Sequence, residues 1–456
     1  MAGSILIKDG LLVDTEWVRH EDILIEGEKI KRIAPSIDEN DVPEGTSIIS
    51  ADGKCVLPGL IDAHTHYHLV SRGTVTADSF LEGSKLASYG GVTTVIDFAD
   101  DDKKSLSSSL SKRLDEMKDM AIDYALHQGV YKWRPDILSE LEEVKKMGVG
   151  TIKIFTTYKD VGYLIEDKSQ LEEVFKDSSD LNLMVSVHAE DDDVIRRAGE
   201  EYSGNYGPES HPVLRPSEAE AVAIRKVGDI AKKYSMPLYI VHLSSRKGLM
   251  EVRKLRSEGV RVIVETTPHY LFLDKSYLSG ENGPLYVMTP PLRSKDDSEA
   301  LREALSNGEI QVVATDHCAF TRAQKLESND VRKIYPGIPG TEEMLPLLHT
   351  FALSNGHLSL SQIVNLLSTG PAKAFGLYPR KGVLREGSDA DVVIFDPDES
   401  WTLSSETVHS ASGYTPYEGF NVTGKVQMTI LRGRIVMGDD IYLGIKGDGK
   451  FIEATR

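Results

Sequence analysis

The chain has 456 residues, a formal charge of -19 and a pI near 5.2, an excess of acid that would repel a phosphate backbone or an anionic lipid face. Nucleic acid and membrane are therefore excluded as expected partners, and with 40% hydrophobic and 27% charged residues the composition is that of a soluble enzyme with a sizeable core. Cys55 and Cys318 are too few for a disulfide framework and lack the Cys-x-x-Cys spacing of a zinc or redox site, which points to a reducing cytoplasm; neither a signal peptide nor an 18-residue apolar span is expected.

Residues 4 to 52 read as short strands with turn signals: Ser4 to Lys8, an Asp9-Gly10 turn, Leu11 to Val13, Asp22 to Glu26, Gly27-Glu28, and Lys29 to Ile33. From Gly53 the character changes, and eight Val/Ile/Leu-rich runs near 56–64, 92–98, 122–128, 150–155, 183–188, 237–242, 260–265 and 311–316 alternate with helix-period segments. Those segments include Asp78 to Ser88, Asp136 to Met147, Pro216 to Tyr234 and Lys247 to Glu258, with further helices near 341–354, 359–367 and 370–376. Eight such units predict a (β/α)8 TIM-like barrel over 53–379. Short strands return at Ala390 to Phe395, Gly424 to Leu431 and Arg432 to Val436, so 1–52 and 380–456 are expected to build one small β-sandwich from both termini.

A barrel of this kind gathers its active site at the C-terminal strand ends, and potential ligands fall there. His64 and His66 close the first run at i, i+2 spacing, which puts both imidazoles on one side of a strand; His188 closes the fifth, His242 the sixth and Asp316 the eighth. Lys153 lies inside the apolar run Thr151-Ile-Lys-Ile-Phe, where an unpaired ammonium is costly. Either a carboxylate pairs with it, or its neutral amine takes up CO2 to form a carbamate able to bridge two metal ions.

These motifs resemble the hydantoinase and dihydropyrimidinase family of the amidohydrolase superfamily. The resemblance runs through Pro58-Gly-Leu-Ile-Asp-Ala-His-Thr-His, Gly73-Thr-Val-Thr-Ala-Asp-Ser-Phe, Gly90-Gly-Val-Thr-Thr-Val-Ile-Asp-Phe, Gly148-Val-Gly-Thr-Ile-Lys-Ile-Phe-Thr-Thr-Tyr, Val187-His-Ala-Glu, Val241-His-Leu-Ser-Ser, Val287-Met-Thr-Pro-Pro-Leu-Arg, Thr315-Asp-His-Cys and Tyr414-Thr-Pro-Tyr-Glu-Gly. It implies two divalent metal ions, zinc the expected metal: His64, His66, carboxylated Lys153 and Asp316 on one, Lys153, His188 and His242 on the other. A water shared by two ions is acidified towards neutrality, and the resulting metal-bridging hydroxide is expected to open a hydantoin or dihydropyrimidine ring. Asp316 is the expected general base and acid, Tyr158 the donor to the developing oxyanion, and Thr289 and Gly337 the main-chain substrate contacts. A homotetramer or homodimer is implied as well.

The chain also departs from the family. Proline stands at 336 where asparagine is common, so one N–H is lost or its role passes to Gly337; His269 replaces an expected glutamine and is read as packing; His317 is read as supporting Asp316. Tyr67 and His68 are expected to wall the pocket. Allantoinases and dihydroorotases usually carry an arginine directly after the His-x-His pair, a place held here by Tyr67-His68 with Arg72 further on, so they form the alternative. An isoaspartyl-dipeptidase-like hydrolase and an inactive scaffold on the same fold are the others.

Overall fold

The computed structural model describes residues 3–355 and 358–454. Eight parallel strands form the barrel: β1 (Leu60–Thr65), β2 (Val92–Ala99), β3 (Asp123–Gly129), β4 (Thr151–Phe155), β5 (Met184–His188), β6 (Leu238–Ile240), β7 (Val262–Thr266) and β8 (Val312–Val313). Consecutive strands pair along the whole series, with register shifts between β1 and β2 at Leu60/Ile61 and Asp62/Thr65. Every residue of β1 and β2 is buried, as expected of strands covered by helices on one face and by the barrel interior on the other. β8 meets β1 without a regular ladder: Thr315 N–H donates to Asp62 (3.0 Å) and His66 N–H to the His317 carbonyl (2.8 Å), which closes the ring.

The structure corrects several strand expectations. The run 56–64 is two strands: Cys55–Pro58 pairs outside the barrel with Val392–Thr402, and β1 begins only after Gly59. β6 and β8 end before 242 and 316 because His242 (φ 40°) and Asp316 (φ 51°) leave the extended conformation, swinging both side chains towards the barrel axis. Asp9-Gly10 is no reversal. Ser4–Val13 is one strand with a bulge, where Asp9 (φ 62°) donates its N–H to Asp22 (3.0 Å).

Both termini contribute to one nine-stranded mixed sheet, in which Cys55–Pro58 joins Ser4–Val13 to the returning strand Val392–Thr402. Its inner face gathers Ile7, Ile23, Ile25, Val56, Val392, Ile394 and Ile430 into a single apolar cluster. Arg432 (φ 45°) and Gly433 (φ 71°) form the two-residue turn between Asn421–Leu431 and Arg434–Gly438, so the expected strand at 432 starts two residues later. Sheet and barrel are riveted by a buried charge network: Lys381 reaches Asp123 (2.5 Å), Asp391 (2.6 Å) and Asp389 (3.1 Å), and Arg432 Nε donates to Asp123 (3.1 Å).

Candidate metal centre and pocket

Six expected ligands come together at the C-terminal mouth of the barrel. His64 Nε2 and His66 Nε2 lie 3.1 and 3.2 Å from the same oxygen, Oδ1 of Asp316. Across the mouth His188 Nδ1 and His242 Nε2 face each other at 2.9 Å. Lys153 is buried, with its amine 5.1 Å above the Phe98 ring and 5.3 Å from that of Phe155. His64, His66, Lys153, His188, His242 and Asp316 line one cavity of about 110 Å³ together with Tyr158, Thr289, Pro336 and Gly337.

The hydrogen bonds around the histidines set their tautomers. His64 Nδ1 is 2.7 Å from Glu265, so that nitrogen carries a proton and the ring turns its Nε2 to Asp316. Two imidazole nitrogens facing one carboxylate oxygen at 3.1 and 3.2 Å need a proton or a metal cation between each nitrogen and that oxygen. Burial alone would lower the pKa of His64, but Asp316 and Glu265 override it and lift it to about 9. His188 Nε2 donates to Glu190 (2.8 Å), which turns its Nδ1 lone pair towards His242. Burial keeps both His188 and His242 below the ordinary imidazole range, hence neutral and able to bind metal. For Asp316 burial opposes ionisation, yet His64 and the hydrogen bonds from His64 and His66 hold its carboxyl well below the usual range. Burial brings Lys153 down to about 8 against the pull of Asp316 and Glu265. Imidazoles, a carboxylate and a depressed lysine converging on one cavity are a donor set that fits a divalent metal centre.

The remaining expected residues divide. Tyr158, held at φ 66° in the left-handed region, lines the cavity beside Thr289 and sits under the Arg215 guanidinium at 5.0 Å; burial raises its phenol. Gly337 lines the cavity at φ 146°, where a Cβ would lie 2.2 Å from the Cys318 carbonyl oxygen. Its N–H, however, donates to Val287 (3.0 Å), so it does not replace the N–H missing at Pro336. Tyr67 is fully buried and points away, its hydroxyl donating to Thr341 (3.1 Å); His68 is exposed, and Leu69 is the residue of that loop that reaches the cavity. His317 donates to Asp78 (2.9 Å) and accepts from the Gly340 N–H (3.2 Å), so it braces main chain and not the Asp316 side chain. His269 packs edge-on against Tyr270 in a buried site. Arg72 is exposed on the hairpin after β1, outside the cavity lining.

Sequence reasoning passed over the carboxylates behind the ligands. Glu265 accepts from His64, from the Tyr239 hydroxyl (2.7 Å) and from the His242 N–H (3.1 Å). Glu190 accepts from His188 and from Arg215 Nη2 (2.7 Å), and Asp62 joins β1 to Thr315 and Thr341. An acid inside the apolar run Val-Ile-Val-Glu265-Thr was the available signal, the same one that marked Lys153.

An eight-stranded barrel with this cluster at its C-terminal mouth has the design of a metal-dependent hydrolase. The amidohydrolase family profile matches residues 55–436, and the chain belongs to that family. The D-hydantoinase of Geobacillus stearothermophilus is 37% identical over 465 residues, covering 99% of this chain and 96% of its own length. The dihydropyrimidinase of Arabidopsis thaliana is 35% identical over 98% of this chain and 85% of its own. The crystal structure of dihydropyrimidinase from Brevibacillus agri superposes with a TM-score of 0.95 at 34% identity, covering 99% of this chain and all of that one. Within the amidohydrolases the chain sits with the hydantoinases and dihydropyrimidinases, and the allantoinase, dihydroorotase and scaffold alternatives are not favoured.

Proposed function

We propose that this protein hydrolyses a ring C–N bond of a small cyclic ureide or imide, a hydantoin or a dihydropyrimidine, at a two-metal centre. The observation that carries the reading is the convergence of His64, His66, Lys153, His188, His242 and Asp316 on one cavity roofed by Tyr158. His64, His66, Lys153 and Asp316 would hold one ion, Lys153, His188 and His242 the other, with zinc as the expected metal. When bound, such ions polarise a carbonyl oxygen and acidify water.

The protein's own groups do the rest. Lys153, brought to about 8 by burial, has a neutral amine fraction near neutral pH that adds CO2, releasing one proton and leaving a carbamate. Asp316 stays ionised, so it can take the proton of the attacking water and hand it to the ring nitrogen as the C–N bond breaks. Tyr158 keeps its phenolic proton and donates a hydrogen bond to the carbonyl oxygen as charge develops there. Pro336 has no N–H and that of Gly337 is occupied, so recognition along this wall rests on main-chain carbonyl oxygens and on Thr289. Arg72, on the exposed hairpin, leaves the lining without an arginine to grip a substrate carboxylate. We read the protein as cytoplasmic and as a homodimer or homotetramer; among the described residues no helix is long and apolar enough to cross a membrane.

Initial rates on hydantoin, dihydrouracil, allantoin, dihydroorotate and a linear isoaspartyl dipeptide test the proposal. Turnover of the first pair supports it. Turnover of allantoin or dihydroorotate alone overturns the substrate class, and turnover of linear amides alone overturns ring opening.

A further inference from the structure

Lys325 closes the short helix Arg322–Lys325 in the segment after β8, and it is fully buried. Its ammonium donates to three main-chain carbonyls, Val287 at 2.6 Å, Tyr335 at 2.8 Å and Gly337 at 3.0 Å, and none of these partners is a carboxylate. The carbonyls belong to two segments far apart in sequence that together wall the cavity with Met288, Thr289, Pro336 and Gly337. His211 Nε2 holds only the first segment, at the Met288 carbonyl (3.0 Å); one main-chain bond, Gly337 N–H to the Val287 carbonyl (3.0 Å), joins the two, and Lys325 is the side chain that spans both.

An ammonium without a counter-charge in a dry site is expensive, and burial pulls this one down to about 7. An apolar side chain of similar volume would avoid that penalty, so the lysine must do something that packing cannot. The helix that carries it is itself anchored: Thr321 and Gln324 form a capping box, and Gln324 Nε2 donates to Thr74 Oγ1 (2.6 Å) in the hairpin next to Leu69. Three donors on one fixed nitrogen therefore set three carbonyls relative to each other.

We infer that Lys325 is a positioning residue, a clamp that holds the 287–289 and 335–337 segments at the spacing needed to receive the substrate ring. It lines neither the cavity nor the metal cluster, so it acts on substrate fit and not on bond breaking. The inference rests on the cyclic-amide reading of the cavity.

The test is steady-state kinetics of the metal-loaded K325M and K325Q variants on whichever of hydantoin or dihydrouracil the wild type turns over, with metal content and hydrogen exchange measured alongside. In K325M we expect KM to rise about tenfold or more with kcat within about threefold and metal per chain unchanged. K325Q, which keeps two N–H donors, should fall between K325M and the wild type, and it decides alone if K325M does not fold. The Gly337 amide should exchange faster in both. A KM within about twofold of wild type, or a fall in kcat alone, overturns the inference. If the wild type opens no cyclic amide, the functional reading fails separately, and unchanged exchange across 335–340 would still overturn the clamp.

Discussion

Glu265 is 0% exposed and carries three donors, so its charge fixes two of the proposed ligands at once: the ring of His64 and the main chain of His242. Glu265→Gln keeps the shape but puts an amide N–H where a donor must be accepted. Metal affinity should fall by about 10–100-fold, read by competition with a chelator; unchanged affinity would contradict the role given to Glu265. Asp316→Asn keeps a ligand oxygen and removes the proton acceptor, so kcat should drop by about 10²–10⁴-fold with metal content largely retained. A fully active variant would remove Asp316 from proton transfer. The five expected ligands that close apolar runs, and Lys153 within one, stand out in the sequence because each is a polar group at or inside an apolar run, and the structure brings them to one cavity. Glu265 interrupts one as well, but its partner His64 is 201 positions away, and nothing local announces the pairing. The inward turn of Tyr67 depends likewise on Thr341, 274 positions on, and the committed N–H of Gly337 on Val287.

Among the elements, the joint at Gly59 decides how the strand that carries His64 enters the barrel. Its N–H donates to Asp391 (2.8 Å) and its carbonyl accepts from Ser368 (2.7 Å), so the chain leaves the terminal sheet and starts β1 within one residue. A Cβ there would lie 2.2 Å from Thr93 Oγ1 and 2.8 Å from Asp391 Cβ. Gly59→Ala should therefore cost about 1–3 kcal/mol, seen as a lower melting temperature, and an unchanged midpoint would show that the joint has slack. The strands and helices themselves were readable from hydrophobic period. The break at Gly59 was not, because residues on both sides are equally buried and the run Val56 to Ala63 looks continuous.

At the scale of the whole molecule, the Lys381 network couples the terminal sheet to the bottom of the barrel, and it carries a pH signature. For Asp389, burial opposes ionisation, but Lys381, Lys29 and Arg380 override it and hold the carboxyl at about 2. An unfolded aspartate titrates near about 3.9, so between those values the folded chain binds fewer protons than the unfolded one. The stabilisation is complete above about pH 4 and is lost as pH falls through about 2. The stability gap between wild type and Asp389→Asn, followed by urea unfolding, should thus narrow as pH falls through that window; a gap independent of pH would contradict the assignment. No composition or motif marks this network, since Lys381, Asp123 and Arg432 are joined across 258 and 309 positions.

The most direct test is elemental analysis of the purified protein, paired with its turnover of hydantoin and dihydrouracil. About two divalent ions per chain, with ring opening that disappears on chelation and returns with zinc and bicarbonate, is the expected result. No bound metal and no turnover after zinc and bicarbonate are supplied would contradict the hydrolase reading and leave the barrel a scaffold.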